Sequence, residues 1–227
     1  MKHLFLILSL FGLLRGFAQE NEAPNNVVVF GADFTLAKLV TKNSSYNPKT
    51  VIVYDIPKLN REVIKICKIY KRQFVGQQLL FDTAETDRIN QTIDEGAFFT
   101  TDRYRIAGGA EAAKKVLTKY NTSNYSDGVG MLLVIDNIDE IDDQMTFYLL
   151  MFDLKGKKVV HCDKVSAHLS RIKDEAGGGW FSWKTPIQKM FSKIEEVYFF
   201  WDNYPEGETI DVEAEANKHP NKYPHPN

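Results

Sequence analysis

The residues of this chain that could do acid–base or metal chemistry are few and poorly grouped. His161 and His168 lie seven residues apart in one predicted strand. Because successive side chains of a strand point to opposite faces, this odd separation puts the two imidazoles on opposite sides of the sheet. Cys162 is next to His161 and therefore also points away from it. The spacing argues against a metal site or catalytic pair within this strand, and the chain has no H-E-x-x-H or C-x-x-C motif.

The most unusual string is the segment 176–186, A-G-G-G-W-F-S-W-K-T-P. It fails as a phosphate-binding loop, because Trp183 stands where the second glycine of G-x-x-x-x-G-K-[ST] is required. Two interpretations remain open: a flexible turn before a helix, with Pro186 in its first turn and the aromatic rings packed on the sheet, or an exposed docking patch for a partner. The candidate binding residues of this segment are Gly178, Gly179, Trp180, Phe181 and Trp183.

Acidic residues suggest further hypotheses. Asp33 follows the first predicted strand and is a candidate binding residue at its end. The segment 136–143, D-N-I-D-E-I-D-D, has the charge of a calcium loop without the EF-hand spacing, so we expect a solvated hairpin loop there. A rival hypothesis assembles a hydrolase-type site from dispersed residues such as Asp33, Asp153 and His161. The sequence contains no motif that predicts a cofactor or a metal site.

The N-terminus has the pattern of a signal peptide. Lys2 supplies a positive charge, Leu4 to Leu14 form an apolar run, and Gly16 and Ala18 are the small residues that precede a cleavage site. The run is shorter than the roughly 20 residues that a membrane span needs. We therefore expect residues 1–18 to be removed and the protein to be periplasmic or secreted; the alternative is an uncleaved anchor helix.

The length, charge and composition of the chain predict one globular domain. Removal of residues 1–18 would leave 209 of the 227 residues, with 26 basic against 30 acidic side chains and a net charge of −4. This length can enclose a sizeable core, and the mildly acidic surface argues against nucleic acid as a partner. In an exported protein Cys67 and Cys162 can form one disulfide, although each lies among apolar neighbours where a buried thiol is normal.

The elements that must position these residues alternate between strands and helices. A strand is predicted at 25–32 and another at 50–54, followed by a helix to residue 74; an alternative interpretation merges 48–74 into one helix broken at Pro57. A short strand is expected at 77–82, a helix at 110–120 and an amphipathic helix after the glycines, with Trp183, Ile187 and Met190 on its apolar face.

Three apolar segments, 129–135, 146–153 and 158–169, are joined by short polar connections and predict an antiparallel meander. Residues 205–227 are acidic and then rich in Pro and His, which is typical of a disordered tail. The predicted fold is α/β (α+β): a single three-layer domain over residues 25–204, with a mixed sheet, an antiparallel central meander and flanking helices.

Two segments resemble a group of uncharacterised exported Bacteroidetes proteins. They are V-V-V-F-G-A-D-F-T-L-A-K-L-V at 27–40, and D-G-V-G-M-L-L-V-I-D at 127–136 with Y-L-L-M-F-D-L-K-G-K-K-V-V at 148–160. The meander and its D-L-K-G-K turn are also similar to the domain of periplasmic LpoB-type, CsgG-type and TolB N-terminal proteins. That likeness implies a mixed sheet flanked by helices that serves envelope assembly through protein contacts. The chain lacks the lipid-anchor cysteine that many of those proteins have.

These observations predict a non-catalytic, exported binding or interaction module of the bacterial cell envelope. Its expected partner is an envelope protein or a small ligand, with no nucleic acid and no transmembrane segment. A hydrolase-type enzyme with dispersed catalytic residues and a structural subunit of a homo-oligomer are the alternatives.

Overall fold

The computed structural model describes residues 26–42, 45–69, 78–169, 179–192 and 209–211. The strands are β1 (Asn26–Asp33), β2 (Lys38–Val40), β3 (Gln78–Phe81), β4 (Phe99–Thr100), β5 (Val129–Asp139), β6 (Gln144–Asp153), β7 (Val159–His168) and β8 (Thr209–Asp211). The helices are a turn at Pro48–Thr50, a π-helix at Val51–Asp55, α1 (Ile56–Ile69), α2 (Ala84–Asn90), α3 (Gly109–Lys115) with a 3-10 turn at Val116–Lys119, and α4 (Gly179–Ser192).

The described strands form one sheet in the order β3-β1-β5-β6-β7-β8. β1 and β2 lie end to end along the same edge of β5, where Val29 pairs with Met131 and Leu39 pairs with Ile138. β3 continues the sheet beyond β1, and β4 continues it beyond β2. Consequently β2, β4 and β5 end at the same edge of the sheet.

The predicted fold class is corrected by this topology. Of the seven strand pairings among the described residues, five are parallel: β1–β3, β1–β5, β2–β4, β2–β5 and β7–β8. An antiparallel central meander is therefore the wrong description of a mainly parallel α/β sheet. Within the part of the chain that the structure describes, antiparallel pairing is limited to β5–β6 and β6–β7. Hairpin neighbours are adjacent in sequence and leave a local signal, whereas parallel pairing joins distant segments through crossovers.

Apolar side chains cover both faces of the sheet. Val29, Met131 and Leu133 belong to one buried cluster, which α1 and α4 complete. Val28, Leu132 and Val134 belong to a second cluster on the other face, which α3 and the following 3-10 turn complete. The alternation explains why β5 reads as a continuous apolar run, since a strand between two helical layers is buried on both sides.

The strand predicted at 50–54 is wrong, because those residues lie in a continuous helical segment from Pro48 to Ile69. The alternative of one long helix has the right secondary structure up to Ile69, but Pro57 does not break it. A π-helix precedes the proline, and the Ile56 N–H donates to the carbonyl of Val51, five residues earlier. Proline lacks an N–H and crowds the carbonyl four residues earlier, so a wider turn at this point accommodates it.

The final helix differs from its predicted start. α4 begins at Gly179, so Pro186 lies inside the helix rather than in its first turn. The predicted apolar face is confirmed at Trp183, Ile187 and Met190, which are buried. Farther along, Thr209–Asp211 pair in parallel with β7. At those three residues the structure departs from the expected disorder, and the rest of the predicted tail lies outside the described residues.

Candidate functional site

The acidic segment after the central strand is not a solvated loop. Asp136, Asn137 and Asp139 are part of β5 and are buried. Asp136 accepts a hydrogen bond from the Ile106 N–H at 2.7 Å and lies 3.2 Å from the Lys164 ammonium. The predicted hairpin loop is therefore wrong for the first half of the segment, because partners distant in sequence compensate the buried charge.

Asp33 is fully buried at the end of β1. One carboxylate oxygen accepts hydrogen bonds from the Thr35 N–H and hydroxyl, both at 2.7 Å, and the other accepts the Tyr120 hydroxyl at 2.8 Å. Burial, and after it the negative charge of Asp33, raises the pKa of Tyr120. The phenol therefore stays protonated and donates its hydrogen bond to Asp33. Both oxygens of Asp33 are thus engaged in holding the strand end.

A buried amide network surrounds the bulge of β1 at Gly31. Asn60 accepts a hydrogen bond from the Ala32 N–H at 2.8 Å and donates to Asp87 at 2.7 Å. Asn90 donates to the Ala32 carbonyl at 2.9 Å. Gly31 has φ +97°, and a Cβ there would lie 2.9 Å from the Asn60 side-chain oxygen, so the bulge requires glycine. The sequence gives no signal of this network, because the two asparagines lie on separate helices.

The dispersed residues of the enzyme hypothesis do not meet. Asp33 is aligned with Val134 of β5, whereas Asp153 is aligned with Val129, five residues away along the same strand. At about 3.3 Å per residue this separation is roughly 17 Å. His161 is aligned with Met151 on β6, farther from Asp33 across the sheet. These three side chains cannot form one acid–base set.

The glycine-flanked segment is described only in part. Gly178 lies outside the described residues, and Gly179, Trp180 and Phe181 form the first turn of α4, with their side chains outside the described atoms. Trp183 is fully buried in the cluster beneath α1 and α4. Its ring therefore belongs to the core, and the docking patch stays a prediction for Trp180 and Phe181.

The two cysteines are buried on opposite faces of the sheet, Cys67 in the cluster with α1 and Cys162 in the cluster with α3. No disulfide joins them. Burial raises the pKa of the Cys67 thiol, so this side chain behaves as an apolar core residue. Within the described ranges, no three His, Cys, Asp or Glu side chains come close enough to hold a metal ion.

A cleft of about 600 Å³ opens at the edge where β2, β4 and β5 end, and we call it the carboxyl-edge cleft. From the segment after β2 it is lined by Thr41, Lys42, Tyr46 and Pro48. From β4 and its flanks it is lined by Glu95, Gly96, Phe99, Thr100 and Thr101. Ligands of open α/β sheets bind outside the carboxyl ends of the strands, so this position favours a binding site.

The inner wall of the carboxyl-edge cleft is held by Glu140, which follows β5. Its two carboxylate oxygens accept the Tyr46 hydroxyl at 2.6 Å and the Thr41 hydroxyl at 2.7 Å. Burial and this hydrogen bond raise the pKa of Tyr46 well above its usual value, so the phenol stays protonated. The ring of Tyr46 packs against that of Phe99, with centroids 6.1 Å apart and planes tilted by 35°. The lining of the cleft thus combines two packed aromatic rings with the hydroxyl groups of three threonines.

A second, smaller cleft of about 310 Å³ is lined by Arg103, Tyr104, Arg105, Asp139 and Asp142. The Arg103 guanidinium is paired with the Asp142 carboxylate at 3.2 Å. Asp139 accepts hydrogen bonds from the N–H groups of Ile141 and Asp142, so it closes the turn after β5. Because Arg103 and Asp139 already have partners within the protein, this cleft is the weaker candidate for a ligand-binding site.

Comparison with known proteins gives no family assignment. No family model matches the chain, and no curated protein matches it. The chain is similar to the hypothetical protein CT253 from Chlamydia trachomatis, with 13% identity and a TM-score of 0.34 over 77% of this chain and 95% of that one. It is also similar to the lipoprotein GNA1162 from Neisseria meningitidis, with 10% identity and a TM-score of 0.29 over 74% of this chain and 96% of that one.

Similarities this low carry no argument about function, and the resemblance to exported Bacteroidetes proteins stays a prediction. Among the described residues, no helix is both long enough and apolar enough to cross a bilayer.

Proposed function

We propose that the chain is an exported, non-catalytic binding module of the bacterial cell envelope that holds a ligand in the carboxyl-edge cleft. The observation that carries the proposal is the position of this cleft at the shared carboxyl ends of β2, β4 and β5. Its volume of about 600 Å³ falls within the roughly 300 to 1,000 Å³ typical of small-ligand sites.

The chemistry of the lining favours binding over catalysis. The Tyr46 hydroxyl donates to Glu140 and has a raised pKa, so it is a poor base or nucleophile. The other ionisable side chains of the lining, Lys42 and Glu95, are exposed. A catalytic nucleophile needs an adjacent base that is itself oriented, and the described lining offers no such pair.

A fragment screen tests the binding site. Nitrogen-labelled protein would be titrated with small aromatic, polyol and amine compounds while the backbone amide resonances are followed. We expect shifts concentrated at Gly96, Thr100 and Thr101, which line the cleft. A Thr101→Trp variant should fill the opening and abolish these shifts, whereas Thr118→Trp, an exposed threonine on the 3-10 turn after α3, should not. If no fragment perturbs the cleft amides, the proposal is contradicted.

Export has its own test, because it rests on the N-terminal pattern alone. Mass spectrometry of the chain expressed with its first residues in a bacterial host should find a mature protein that begins at Gln19. A chain that keeps residues 1–18 in the cytoplasm would contradict export without affecting the cleft.

A further inference from the structure

We propose that the ligand of the carboxyl-edge cleft is an organic cation, with an alkylated ammonium head group held against the rings of Tyr46 and Phe99. This inference rests on the proposed function and adds the chemical class of the ligand. It combines two independent features of the described residues: a paired aromatic surface and an excess of carboxylates beside it.

The aromatic surface is fixed before any ligand binds. Phe99 makes an edge-to-face contact with the fully buried Phe98, with ring centroids 5.4 Å apart. Tyr46 is held by its hydroxyl on Glu140 and by the tilted contact with Phe99. The face of an aromatic ring carries negative charge density and attracts cations. Because the Tyr46 hydroxyl donates to a carboxylate, electron density in its ring increases, which strengthens this attraction.

Two carboxylates lie beside the aromatic surface. Glu140 lies behind Tyr46 and Thr41, and Glu95 lies on the rim. No ion pair found among the described residues uses either carboxylate, so hydroxyl groups orient Glu140 without cancelling its charge. Asp55 makes a smaller contribution to the negative field: its charge is the least of the causes that raise the pKa of Tyr46, and Lys58, 3.9 Å away, partly offsets it. Among the described lining residues there is one ammonium, that of the exposed Lys42.

This balance of charge distinguishes between ligand classes. An anion would be repelled by Glu140 and Glu95, against which the described lining sets only the ammonium of Lys42. A neutral polyol could donate hydroxyl hydrogen bonds to Glu95, but it would gain nothing from the negative field itself. A fully alkylated ammonium gains from the aromatic rings and from the negative field together. Because it carries no N–H, it needs no hydrogen-bond acceptor, and the Glu140 oxygens can stay bonded to the hydroxyl groups of Tyr46 and Thr41. Charge complementarity therefore favours the cation.

The decisive experiment compares choline with its uncharged analogue, in which carbon replaces the ammonium nitrogen. Both probes have the same shape, so only the charge differs. In an NMR titration of the full chain, choline should shift the amides of Gly96, Thr100 and Thr101 and bind several-fold more tightly than the analogue. Its advantage should shrink in high salt, where the Debye length falls to about 3 Å.

Two variants locate the effect. Phe99→Leu keeps an apolar side chain without the ring and should weaken choline binding by roughly 2- to 30-fold. Glu95→Gln removes one exposed rim charge without a burden on folding and should weaken it by roughly 2- to 5-fold at low salt. Glu111→Gln, an exposed carboxylate on α3, is the matched control and should change nothing.

The outcomes separate this inference from the proposed function. If choline and its analogue bind equally well, the cation class is overturned while the cleft remains a binding site. If neither probe shifts the cleft amides but other fragments do, the cation class is again overturned. If no compound of any class shifts them, the proposed function itself fails.

Discussion

The buried pair of Asp136 and Lys164 allows a quantitative test of how the charged stretch of β5 is tolerated. The Asp136 side chain is 0% exposed, and that of Lys164 is 24% exposed. Lys164 also lies 5.5 Å from the ring centroid of Tyr148. Replacing the lysine in Lys164→Met keeps a long apolar side chain and removes the ammonium. Among the described residues, the Asp136 carboxylate then keeps one hydrogen bond in the core, from the Ile106 N–H.

The expected cost follows from the uncompensated charge. Removing one partner of a buried ion pair costs about 3–5 kcal/mol, and the partial exposure of Lys164 reduces this to about 2–4 kcal/mol. The Asp136 oxygen near Lys164 lies at ion-pair distance but outside hydrogen-bond geometry, so we attribute the loss to charge rather than to a directed bond. The free energy of unfolding of a typical domain is about 5–15 kcal/mol in total, so this loss would be a large share of the stability.

Urea unfolding followed by circular dichroism measures the effect. With a slope of about 2 kcal/mol per molar urea, the midpoint of Lys164→Met should fall by about 1–2 M. Adding Asp136→Asn removes the buried charge while its amide oxygen still accepts from Ile106, so the double variant should recover most of the loss. The control Lys155→Met, at an exposed turn, should stay within about 0.5 kcal/mol of the parent.

A loss below about 1 kcal/mol in Lys164→Met, or a double variant as unstable as the single one, would refute the reasoning. Either result would mean that water or another group compensates the Asp136 carboxylate.

Four further predictions concern separate parts of the molecule. A Cβ at Gly130 would lie 2.3 Å from the Phe152 ring, so Gly130→Ala should destabilise the fold by about 2–3 kcal/mol in the same urea assay; an unchanged midpoint would contradict this packing. Burial raises the pKa of Asp87, so the folded state binds its proton more tightly than the unfolded state, and stability falls as pH rises from about 4 through the folded pKa. Asp87→Asn should therefore be at least as stable as the parent at pH 7, and this relative gain should vanish in acid; a gain that grows in acid would refute the sign. Because Cys67 is buried with a raised pKa, a thiol reagent should label it only as fast as the protein unfolds, and labelling within minutes in the native state would contradict its burial. If Trp180 forms a docking patch, Trp180→Ala should abolish partner capture with little change in melting temperature, and the reverse pattern would place its ring in the core.

Local patterns were sufficient where neighbours in sequence are also neighbours in space. The apolar run at 129–135 is a buried strand, the alanine-rich segment after Gly109 is a helix, and α4 buries the face that its periodicity indicates. The strand prediction at 50–54 was wrong, because β-branched residues are also found in a helix whose apolar side is covered. This segment is helical and continues into α1 without interruption.

The sequence by itself determined which segments are apolar on one or both sides, and hence an α/β domain with two covered faces. Only the tertiary structure decided which strands pair in parallel, because that choice depends on crossovers between distant segments. The same pairing brings Tyr46 and Phe99 together beside Glu140, and it gives Asp136 its partner on β7. In the sequence, a charged residue predicts a solvent-exposed position. Its burial becomes tolerable when the fold places a counter-charge next to it, as Lys164 does for Asp136.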